Sequence, residues 1–342
     1  MQLQVSPTST RSISSRHDEG LDWCLLNDFQ RDFPLQTRPF AHIARTLGCS
    51  ETRVRERLAA LQLSGAVSRV GPVFSPRRIG ASTLAALKAP AGHVEEIAAL
   101  VSAFAGVNHN YAREHEWNLW FVATAPDRVG LARVLRDIHR ATRCPILTLP
   151  LETEYHIDLG FDLGTGARVR HGAMRPVMPQ RTPEPAEIAL MAAVQHGLPI
   201  LCRPYQAVAR RAGLSESQVI GQLRDWLSDG TLKRFGVVVR HHELGWRANA
   251  MCVWNVPDAK ADHLGQALSA ADGVNLCYRR RRADGWPFNL YCMIHGHDRD
   301  EVHDRLRDIR SRCGLQAYPH QLLFSTRRFK QCGARYAAGA DV

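Results

Sequence analysis

Tyrosine, arginine and histidine side chains recur together at two places in the chain. Tyr111, Arg113 and His115 lie within five residues of one another, and Tyr278 and Arg280 form a second group. A guanidinium offers a fork of donors that matches a carboxylate. A tyrosine hydroxyl can donate to the same group, and a histidine titrates near neutral pH. We therefore expect Arg113 and Arg280 to bind carboxylates, and Tyr111, Tyr278 and His115 to act in proton transfer.

A further arginine–histidine pair, Arg240 and His241, precedes a polar stretch in the second half of the chain. We expect Arg240 to bind a carboxylate and His241 to be a second proton donor. The alternative is a solvated strand end for this pair and ordinary sheet packing for Tyr111 and Tyr278. The appearance of these residue types together, with the two tyrosines at matching positions of an internal repeat, favours the functional interpretation.

The sequence repeats itself at an offset of about 165 residues, which grows slightly along the chain as short insertions accumulate. The matching pairs are Arg38-Pro39 with Arg203-Pro204, Gly65 with Gly230, Gly71 with Gly236, Gly106-Val107-Asn108 with Gly273-Val274-Asn275, Asn118-Leu119 with Asn289-Leu290, and Asp137-Ile138 with Asp308-Ile309. Two copies of one structural unit are therefore expected.

Each copy begins with a short helix, a turn that contains glycine, and a second helix. Ser50 can cap the second helix of the first copy, and Ser215 with Gln218 has the spacing of a capping box in the second copy. This pattern is typical of a helix-turn-helix. The pattern identifies a helix-turn-helix more specifically here, because it occurs at matching positions in both copies of the repeat.

A strand-like wing and the order β-α-β-β-α-β follow each helix pair. This order predicts an α+β fold: a tandem repeat of a winged helix-turn-helix and a ferredoxin-like αβ sandwich. The expected boundaries are a disordered tail at 1–18, helix-turn-helix domains at 19–70 and 186–235, αβ domains at 71–163 and 236–330, a linker at 164–185, and a tail at 331–342.

Composition restricts the function class. The formal charge of +11 favours anionic partners, either nucleic acid or a polyanionic small molecule. The nine cysteines show no repeated CxxC spacing, so we expect neither a disulfide framework nor a metal site. No apolar run could span a bilayer and no signal peptide is evident, so we expect a cytoplasmic protein with no membrane partner.

The layout resembles that of the Lrp/AsnC regulators, twice over. Five local motifs resemble a narrower group within this fold family, the sirohaem decarboxylases, whose two related subunits are sometimes fused. The motifs lie at residues 108–121, 240–245, 248–251, 277–280 and 286–291. The first half is similar to one subunit type and the second half to the other.

The resemblance implies a substrate and a reaction. The substrate is sirohaem, an iron tetrapyrrole with acetate and propionate side chains. Two acetates lose carbon dioxide and become methyl groups, which gives didecarboxysirohaem for haem d1 or the alternative haem pathway. Trp286 and Asn289 lie in a motif that carries the resemblance, and we expect them to bind substrate. No cofactor beyond the iron tetrapyrrole is expected, because the macrocycle can itself accept electron density.

The two halves differ chemically. Arg240-His241 aligns with Ser75-Pro76, and His115 aligns with Arg282. One composite site that combines what each copy retains is the preferred hypothesis. Two sites, each responsible for one acetate, are the alternative.

Two other functions compete with the enzyme. A DNA-binding regulator, including one that senses a tetrapyrrole, would use Arg53, Arg55 and Arg57 on its recognition helix. Divergence between the two recognition helices argues against DNA as a partner, since operator readers normally use two equivalent helices. A non-catalytic tetrapyrrole carrier explains basic residues but not histidines placed for proton transfer. A homodimer or higher oligomer formed through the αβ domains is also possible.

Overall fold

The computed structural model describes residues 13–157, 180–240 and 247–333. His241, most of the expected linker and parts of both expected tails lie outside these ranges. The helices are α1 Ile13–Asn27, α2 Pro39–Thr46, α3 Glu51–Leu63, α4 Pro76–Ile79, α5 Val94–Ala103, α6 Arg128–Thr142, α7 Pro185–Val194, α8 Pro204–Ala212, α9 Glu216–Ser228, α10 Asp258–Ala270 and α11 Arg299–Arg312. The strands are β1 Val67–Phe74, β2 Ala81–Leu87, β3 Val107–Arg113, β4 Leu119–Ala125, β5 Ile146–Leu149, β6 Leu151–Ile157, β7 Leu232–Val239, β8 Ala248–Trp254, β9 Val274–Arg280, β10 Leu290–Gly296 and β11 His320–Gln331.

The helix-turn-helix units α1–α3 and α7–α9 form as the sequence predicts. The Ser50 hydroxyl accepts from the backbone N–H of Arg53, and Ser215 forms a capping box with Gln218. Equivalent ion pairs join the second and third helices of each unit, Arg38 with Glu51 and Arg203 with Glu216. The repeat is therefore preserved in side-chain contacts as well as in helix order.

The two helix-turn-helix units share one hydrophobic core, because their wing strands pair with each other. Strand β1 lies antiparallel to β7, with Gly71 opposite Gly236. A Cβ at Gly236 would come within 2.3 Å of the Gln30 carbonyl oxygen, so the close approach of this loop requires a glycine. The two wings thus form one two-stranded sheet.

The two αβ units form one continuous strand order, β5-β2-β4-β3-β11-β8-β10-β9-β6. The first copy contributes β2 to β6 and the second copy β8 to β11, and four strands of each, β5-β2-β4-β3 and β11-β8-β10-β9, follow the ferredoxin-like order. Strand β11 pairs first with β8 of its own copy and then with β3 of the other. In the first copy two strands share this role: β5 pairs with β2 of its own copy, and β6 pairs with β9 of the second copy. Each copy therefore extends the sheet of the other with the end of its own last strand. Strands β5 and β6 are joined by Pro150 in the sequence and lie at opposite ends of the strand order.

Helices cover the outer faces of the sheets, and the inner faces pack on each other. Helices α5 and α6 cover the first sheet, and α10 and α11 cover the second. A third cluster joins apolar side chains from the inner faces of both copies, such as Trp120 and Met251. The chain is thus an internal pseudo-dimer with an interior between its two sheets.

The structure corrects three expected boundaries. Helix α1 begins at Ile13, so the tail expected at 1–18 is too long. Arg181, placed in the linker, forms a bidentate ion pair with Glu187 at 2.6 and 2.7 Å. Strand β11 continues to Gln331, beyond the limit of 330 set for the second αβ domain, because its last residues pair with β3.

The described ranges contain neither a membrane-spanning helix nor a cluster of metal-binding side chains. Within them, no helix is both long and apolar enough to cross a bilayer. Histidine, cysteine and carboxylate side chains form no cluster there that could hold a metal ion.

Candidate functional site

A large cavity lies between the inner faces of the two sheets and the paired wings β1 and β7. Its volume is about 1360 Å³. The apolar part of its wall comes from both copies and includes Leu84, Trp120, Val122, Met251 and Met293. Such a volume exceeds that of most drug-sized ligand sites and suits a large, flat, mainly apolar molecule.

Arg113 and Arg280 occupy equivalent places in the cavity wall. Arg113 Nη1 donates to the carbonyl oxygen of Leu323 at 2.9 Å, and Arg280 Nη1 donates to that of Leu149 at 2.7 Å. Each bond crosses from one copy to the last strand of the other. Both arginines are 8% exposed, and burial lowers the pKa of Arg113. The structure therefore brings these two predicted carboxylate-binding residues together in one cavity.

Tyr111 and Tyr278 also line this cavity. The guanidinium carbon of Arg113 lies 5.8 Å from the centre of the Tyr111 ring, and that of Arg280 lies 4.5 Å from the Tyr278 ring. Burial raises the pKa of Tyr111, and the cations Arg113, Arg328 and Arg240 oppose that rise. Tyr111 is thus a neutral hydroxyl in a cationic environment, able to donate a hydrogen bond to an anion.

Cationic side chains dominate the charged part of the wall. They are Arg69, Arg113, Arg128, Lys233, Arg234, Arg247, Arg280, Arg281, Arg327 and Arg328. The carboxylates in the wall are Glu152 and Glu154, and both are ion-paired. Glu154 accepts from Lys233 at 2.5 Å, and Glu152 lies 3.1 Å from the guanidinium of Arg279. The cavity therefore carries net positive charge and is suited to a polyanionic ligand.

The paired wings contribute two equivalent arginines to this wall, the half-buried Arg69 and the buried Arg234. Arg69 donates to the carbonyl oxygen of Pro72 at 2.9 Å, and Arg234 donates to that of Val237 at 3.1 Å. Burial lowers the pKa of Arg69, and it lowers that of Arg234 to about 9, so both remain cations near neutral pH. The helix-turn-helix units thus supply part of the site.

His295 is a candidate proton donor that we did not identify from the sequence. Its Nδ1 lies 2.8 Å from Asn275 Oδ1 and its Nε2 lies 3.0 Å from Asn249 Nδ2, and all three residues line the cavity. These contacts favour the tautomer with the proton on Nδ1. Burial lowers the pKa of His295 from 6.5 to about 4, and the charges of Arg113 and Arg305 act in the same direction. The imidazole is therefore neutral at pH 7.

His109 is a second histidine in the wall that was not predicted. Its ring stacks near that of Tyr111, with centroids 6.2 Å apart. Burial, followed by the charge of Arg69, lowers the pKa of His109 to about 4. A sequence signal existed, because residues 109, 111 and 113 alternate along one strand and share a face.

His115 is not among the residues that line the cavity. Its Nδ1 accepts from the backbone N–H of Trp117 at 3.0 Å, and its ring packs edge-on against Trp286 at 5.3 Å. Trp286 in turn lies 5.2 Å from Trp120, the tryptophan that does line the wall. Two tryptophans thus separate His115 from the cavity, and the geometry does not support its expected role as the direct proton donor.

Trp286 and Asn289, which we expect to bind substrate, make the following contacts within the chain. Trp286 is 1% exposed, and its Nε1 donates to the Tyr291 hydroxyl at 2.7 Å. The Asn289 amide bonds the backbone N–H and C=O of Val256 at 3.0 Å each. In the first copy the Asn118 amide makes the matching pair of hydrogen bonds, to the backbone N–H and C=O of Ala89. The matching asparagines therefore reflect a shared structural brace.

Arg240 lies beside the cavity at the end of β7. Its backbone N–H donates to the Ala66 carbonyl at 2.9 Å, and Nη1 to the Gly65 carbonyl at 3.3 Å. Its charge reaches Tyr111, so it belongs to the same electrostatic environment. His241 follows it and lies outside the described residues.

Family models match both copies. The AsnC-like ligand binding domain matches residues 78–156 and 243–330. The model described as "Siroheme decarboxylase NirDL-like HTH domain" matches residues 22–67 and 187–232. The four matches cover the helix-turn-helix and αβ units of each copy.

Known proteins are similar over nearly the whole chain. The "Siroheme decarboxylase NirDL subunit" of Paracoccus denitrificans is 47% identical over 320 residues, which are 93% of this chain and 98% of that protein. A crystal structure of "the siroheme decarboxylase NirDL" matches with a TM-score of 0.69 at 27% identity, over 93% of this chain and 94% of the other. A second structure of NirDL, in complex with an iron-uroporphyrin III analogue, matches with a TM-score of 0.66 at the same identity and coverage.

Proposed function

The chain belongs to the family of sirohaem decarboxylases of the NirDL type, and on this basis we propose that its central cavity is the decarboxylation site. The enzyme removes carboxyl groups from sirohaem as a carboxy-lyase. Two acetates are lost and didecarboxysirohaem is formed, which serves the synthesis of haem d1 or of haem by the alternative pathway. The observation that carries the proposed site is the ring of cationic side chains around an apolar cavity of about 1360 Å³.

The substrate fits this wall in two respects. An iron isobacteriochlorin is a large apolar disc, and Trp120, Met251 and Met293 offer an apolar surface for its faces. Its carboxylates project from the edge of the disc, where arginines such as Arg113 and Arg280 can bind them. The net positive wall also attracts the polyanion from solution.

Each decarboxylation exchanges a carboxylate for a proton. The bond between the methylene and carboxyl carbons breaks, carbon dioxide leaves, and the electron pair remains on the methylene carbon. The macrocycle delocalises this pair until a proton converts the methylene to a methyl group. The net change per acetate is loss of one carbon dioxide and uptake of one proton, so no external oxidant or reductant is required.

The residues divide into holding and proton-transfer groups. Arg113, Arg280 and Arg240 hold carboxylates, because an arginine does not give up its proton near neutral pH. Tyr111 and Tyr278 donate hydrogen bonds to the same groups. Among the histidines of the described chain, His295 has the best placement for proton delivery, since it lines the cavity and two asparagines fix its ring.

Substrate carboxylates would change the charge around His295. Burial is the main cause that disfavours the protonated ring, followed by the charges of Arg113 and Arg305. A carboxylate bound beside Arg113 offsets the charge of that arginine and so opposes part of the lowering of the His295 pKa. Sirohaem would then bring a proton onto the ring that later transfers it. We also propose that His241, which lies outside the described residues, is a second proton donor.

The regulator alternative is less well supported. The side chain of Arg57 forms two bonds to Asp22 at 2.8 and 2.5 Å, and Arg53 bonds Asp18 at 2.8 Å. On the second recognition helix, Arg224 donates to the backbone at Leu35. These cations are engaged within the chain and are less available to phosphates.

We further propose that one chain contains a complete active site and uses no cofactor besides the iron tetrapyrrole substrate. The two αβ domains already pair with each other within the chain, whereas the sequence allowed a homodimer or higher oligomer through these domains. Nine free thiols are consistent with a reducing compartment, so we propose a cytoplasmic location.

The test is to incubate the purified protein with sirohaem under anaerobic conditions and to measure product masses. Loss of two carbon dioxide units, without added nicotinamide, flavin or metal, is expected. Unchanged substrate mass, with a protein whose circular dichroism shows the native fold, would exclude the enzyme.

A further inference from the structure

Helices α6 and α11 occupy equivalent places in the repeat but carry different charges. Both begin after an aspartate N-cap, which aligns the two helices residue by residue. Arg133 of α6 then matches Asp304 of α11, and Arg143, at the C-cap of α6, matches Gly314. The comparison shows which charges of α6 are not required for this helix to form.

Arg133 makes α6 less stable than an aspartate would. In α11, Asp304 forms an ion pair with Arg307, three residues later. At the same spacing in α6, Arg133 faces Arg136, and like charges so placed destabilise a helix. Arg133 lies in the first half of α6, and the helix dipole favours cations at the other end. Helix stability thus favours an aspartate where the chain has an arginine.

The C-cap of α6 holds a second arginine at an unfavourable position. Arg143 adopts a left-handed backbone conformation with φ of 56°, as Gly314 does with φ of 67° at the equivalent place in α11. Glycine adopts this conformation without steric cost, whereas a residue with a Cβ is disfavoured there. Both departures from the pattern of α11 therefore add a cation to α6 and lower its local stability.

Three arginines form one exposed face of α6. Arg133 and Arg136 are three residues apart, and Arg143 follows two turns later. Within the described residues none of the three forms an ion pair, whereas three arginines of α11 each pair with an acid of that helix. Arg140 of α6 differs from them, since it pairs with Asp137 at 3.3 Å. The arginine face of Arg133, Arg136 and Arg143 thus carries charge that the described chain does not neutralise.

Apolar side chains border the arginine face. Val129 lies one turn before Arg133 and is 68% exposed, and Leu100 on α5, which packs beside α6, is 42% exposed. Helices α10 and α11, which the structure describes throughout, expose no large apolar side chain. From the uncompensated cations and their apolar border we infer that the arginine face is a docking surface for a protein with an acidic patch. The inference does not depend on the proposed function.

The chemistry of the face favours a protein over other polyanions. An arginine binds a carboxylate through two parallel hydrogen bonds, and arginine is enriched in protein interfaces. Interfaces with nucleic acids are more polar, and a phosphate backbone leaves Val129 and Leu100 without apolar contacts. Membrane binding needs a broad apolar helix face, whereas α5 and α6 bury theirs against the first sheet. A second copy is unsuited, since the chain has a formal charge of +11.

The decisive variant is R133D/R143G, which gives α6 the residues that α11 already has. The probe is a labelled synthetic helical peptide with glutamates at every third or fourth position and leucines beside them. Binding is followed by fluorescence anisotropy at physiological salt. We expect the variant to lower the affinity by about tenfold or more and to unfold at a higher urea concentration than the wild type. R307D/R312A removes the same charge from α11 and is the matched control, with wild-type affinity.

Equal affinities of R133D/R143G and the wild type, or no binding of the peptide by the wild type, would overturn the inference. Tighter binding of duplex DNA or of phosphatidylglycerol vesicles, weakened by the same variant, would identify a different partner and overturn it as well. Unfolding of the variant at a lower urea concentration would show that these arginines stabilise α6, which also contradicts it. R136Q leaves the C-cap unchanged and is the second test, with an expected loss of affinity of about two- to five-fold.

Discussion

Arg113 Nη1 donates to the carbonyl oxygen of Leu323 at 2.9 Å and thereby joins strand β3 of the first copy to β11 of the second. Arg280 makes the equivalent bond to Leu149 at 2.7 Å. Both arginines line the cavity. The same side chains therefore join the two copies and line the cavity.

The first prediction concerns these arginines. Arg113→Ala and Arg280→Ala should each weaken sirohaem binding by about ten- to a hundred-fold, since a hydrogen bond to a charged group contributes about 1.5–3 kcal/mol. Arg113→Lys keeps the charge but lacks the forked pair of donors. Its affinity for sirohaem should therefore lie between that of the wild type and that of Arg113→Ala. Binding is measured from the change in the macrocycle's visible spectrum. Arg140→Ala, on an arginine whose side chain is 75% exposed, is the control. Unchanged affinity in both alanine variants would contradict the role in binding.

The second prediction distinguishes the histidine chosen from the sequence from the one chosen from the structure. His295→Asn should slow decarboxylation by roughly a hundred- to ten-thousand-fold while sirohaem still binds. His115→Ala should change the rate only a few-fold, because Trp286 and Trp120 lie between this ring and the cavity. Single-turnover kinetics with product masses measure both. A large loss in His115→Ala and a small one in His295→Asn would restore His115 as the donor.

The third prediction concerns stability and pH. The pKa values of His109 and His295 are lowered to about 4 in the folded protein, so the unfolded chain binds more protons between pH 6.5 and 4. The free energy of unfolding should therefore fall as the pH decreases through this window, by up to about 3 kcal/mol for each histidine. Urea unfolding at several pH values measures it. His295→Asn should reduce the slope, and a slope equal to that of the wild type would refute the pKa assignment.

The fourth prediction is proton uptake on binding. An iron-uroporphyrin carries carboxylates, which should raise the pKa of His295 by offsetting Arg113 and Arg305. Affinity should then increase as the pH falls from about 6.5 towards 4, with protons taken from the buffer. Calorimetry in buffers of different ionisation enthalpy counts these protons. His295→Asn should take up fewer, and equal uptake in the two proteins would assign the proton to another group.

The fifth prediction concerns DNA. Replacement of Arg53, Arg55 and Arg57 together by alanine should leave the decarboxylation rate within a few-fold of the wild type, because none of the three lines the cavity. The variant should lose some stability, since Asp18 and Asp22 lose their partners. Selective binding of the wild-type protein to one operator at physiological salt would favour the regulator instead.

Local patterns were sufficient to predict the elements and several of the residues that line the cavity. Ser50 and Ser215 have capping spacings that depend on their immediate neighbours. Tyr111 with Arg113 and Tyr278 with Arg280 could be found because the repeat marks equivalent positions. The family resemblance indicated the reaction, which composition alone does not specify.

Contacts between distant segments could not be predicted in the same way. The pairing of β11 with β3 brings Arg328 opposite Tyr111, and no local pattern encodes that register. His295 was missed because it lies within the otherwise apolar strand β10 and contacts Asn249 and Asn275 only in the folded sheet. Recurrence of Asn289 in the repeat did not reveal that its amide braces the backbone of Val256, because recurrence marks structural braces as well as binding residues.

The most direct test of the central claim is anaerobic turnover of sirohaem in deuterium oxide, followed by mass spectrometry of the product. Decarboxylation with proton delivery predicts loss of two carbon dioxide units and one deuterium on each new methyl group, with no added cofactor. His295→Asn should form this product far more slowly from bound substrate. Recovery of sirohaem with both acetates intact, from folded wild-type protein that binds it, would contradict the account.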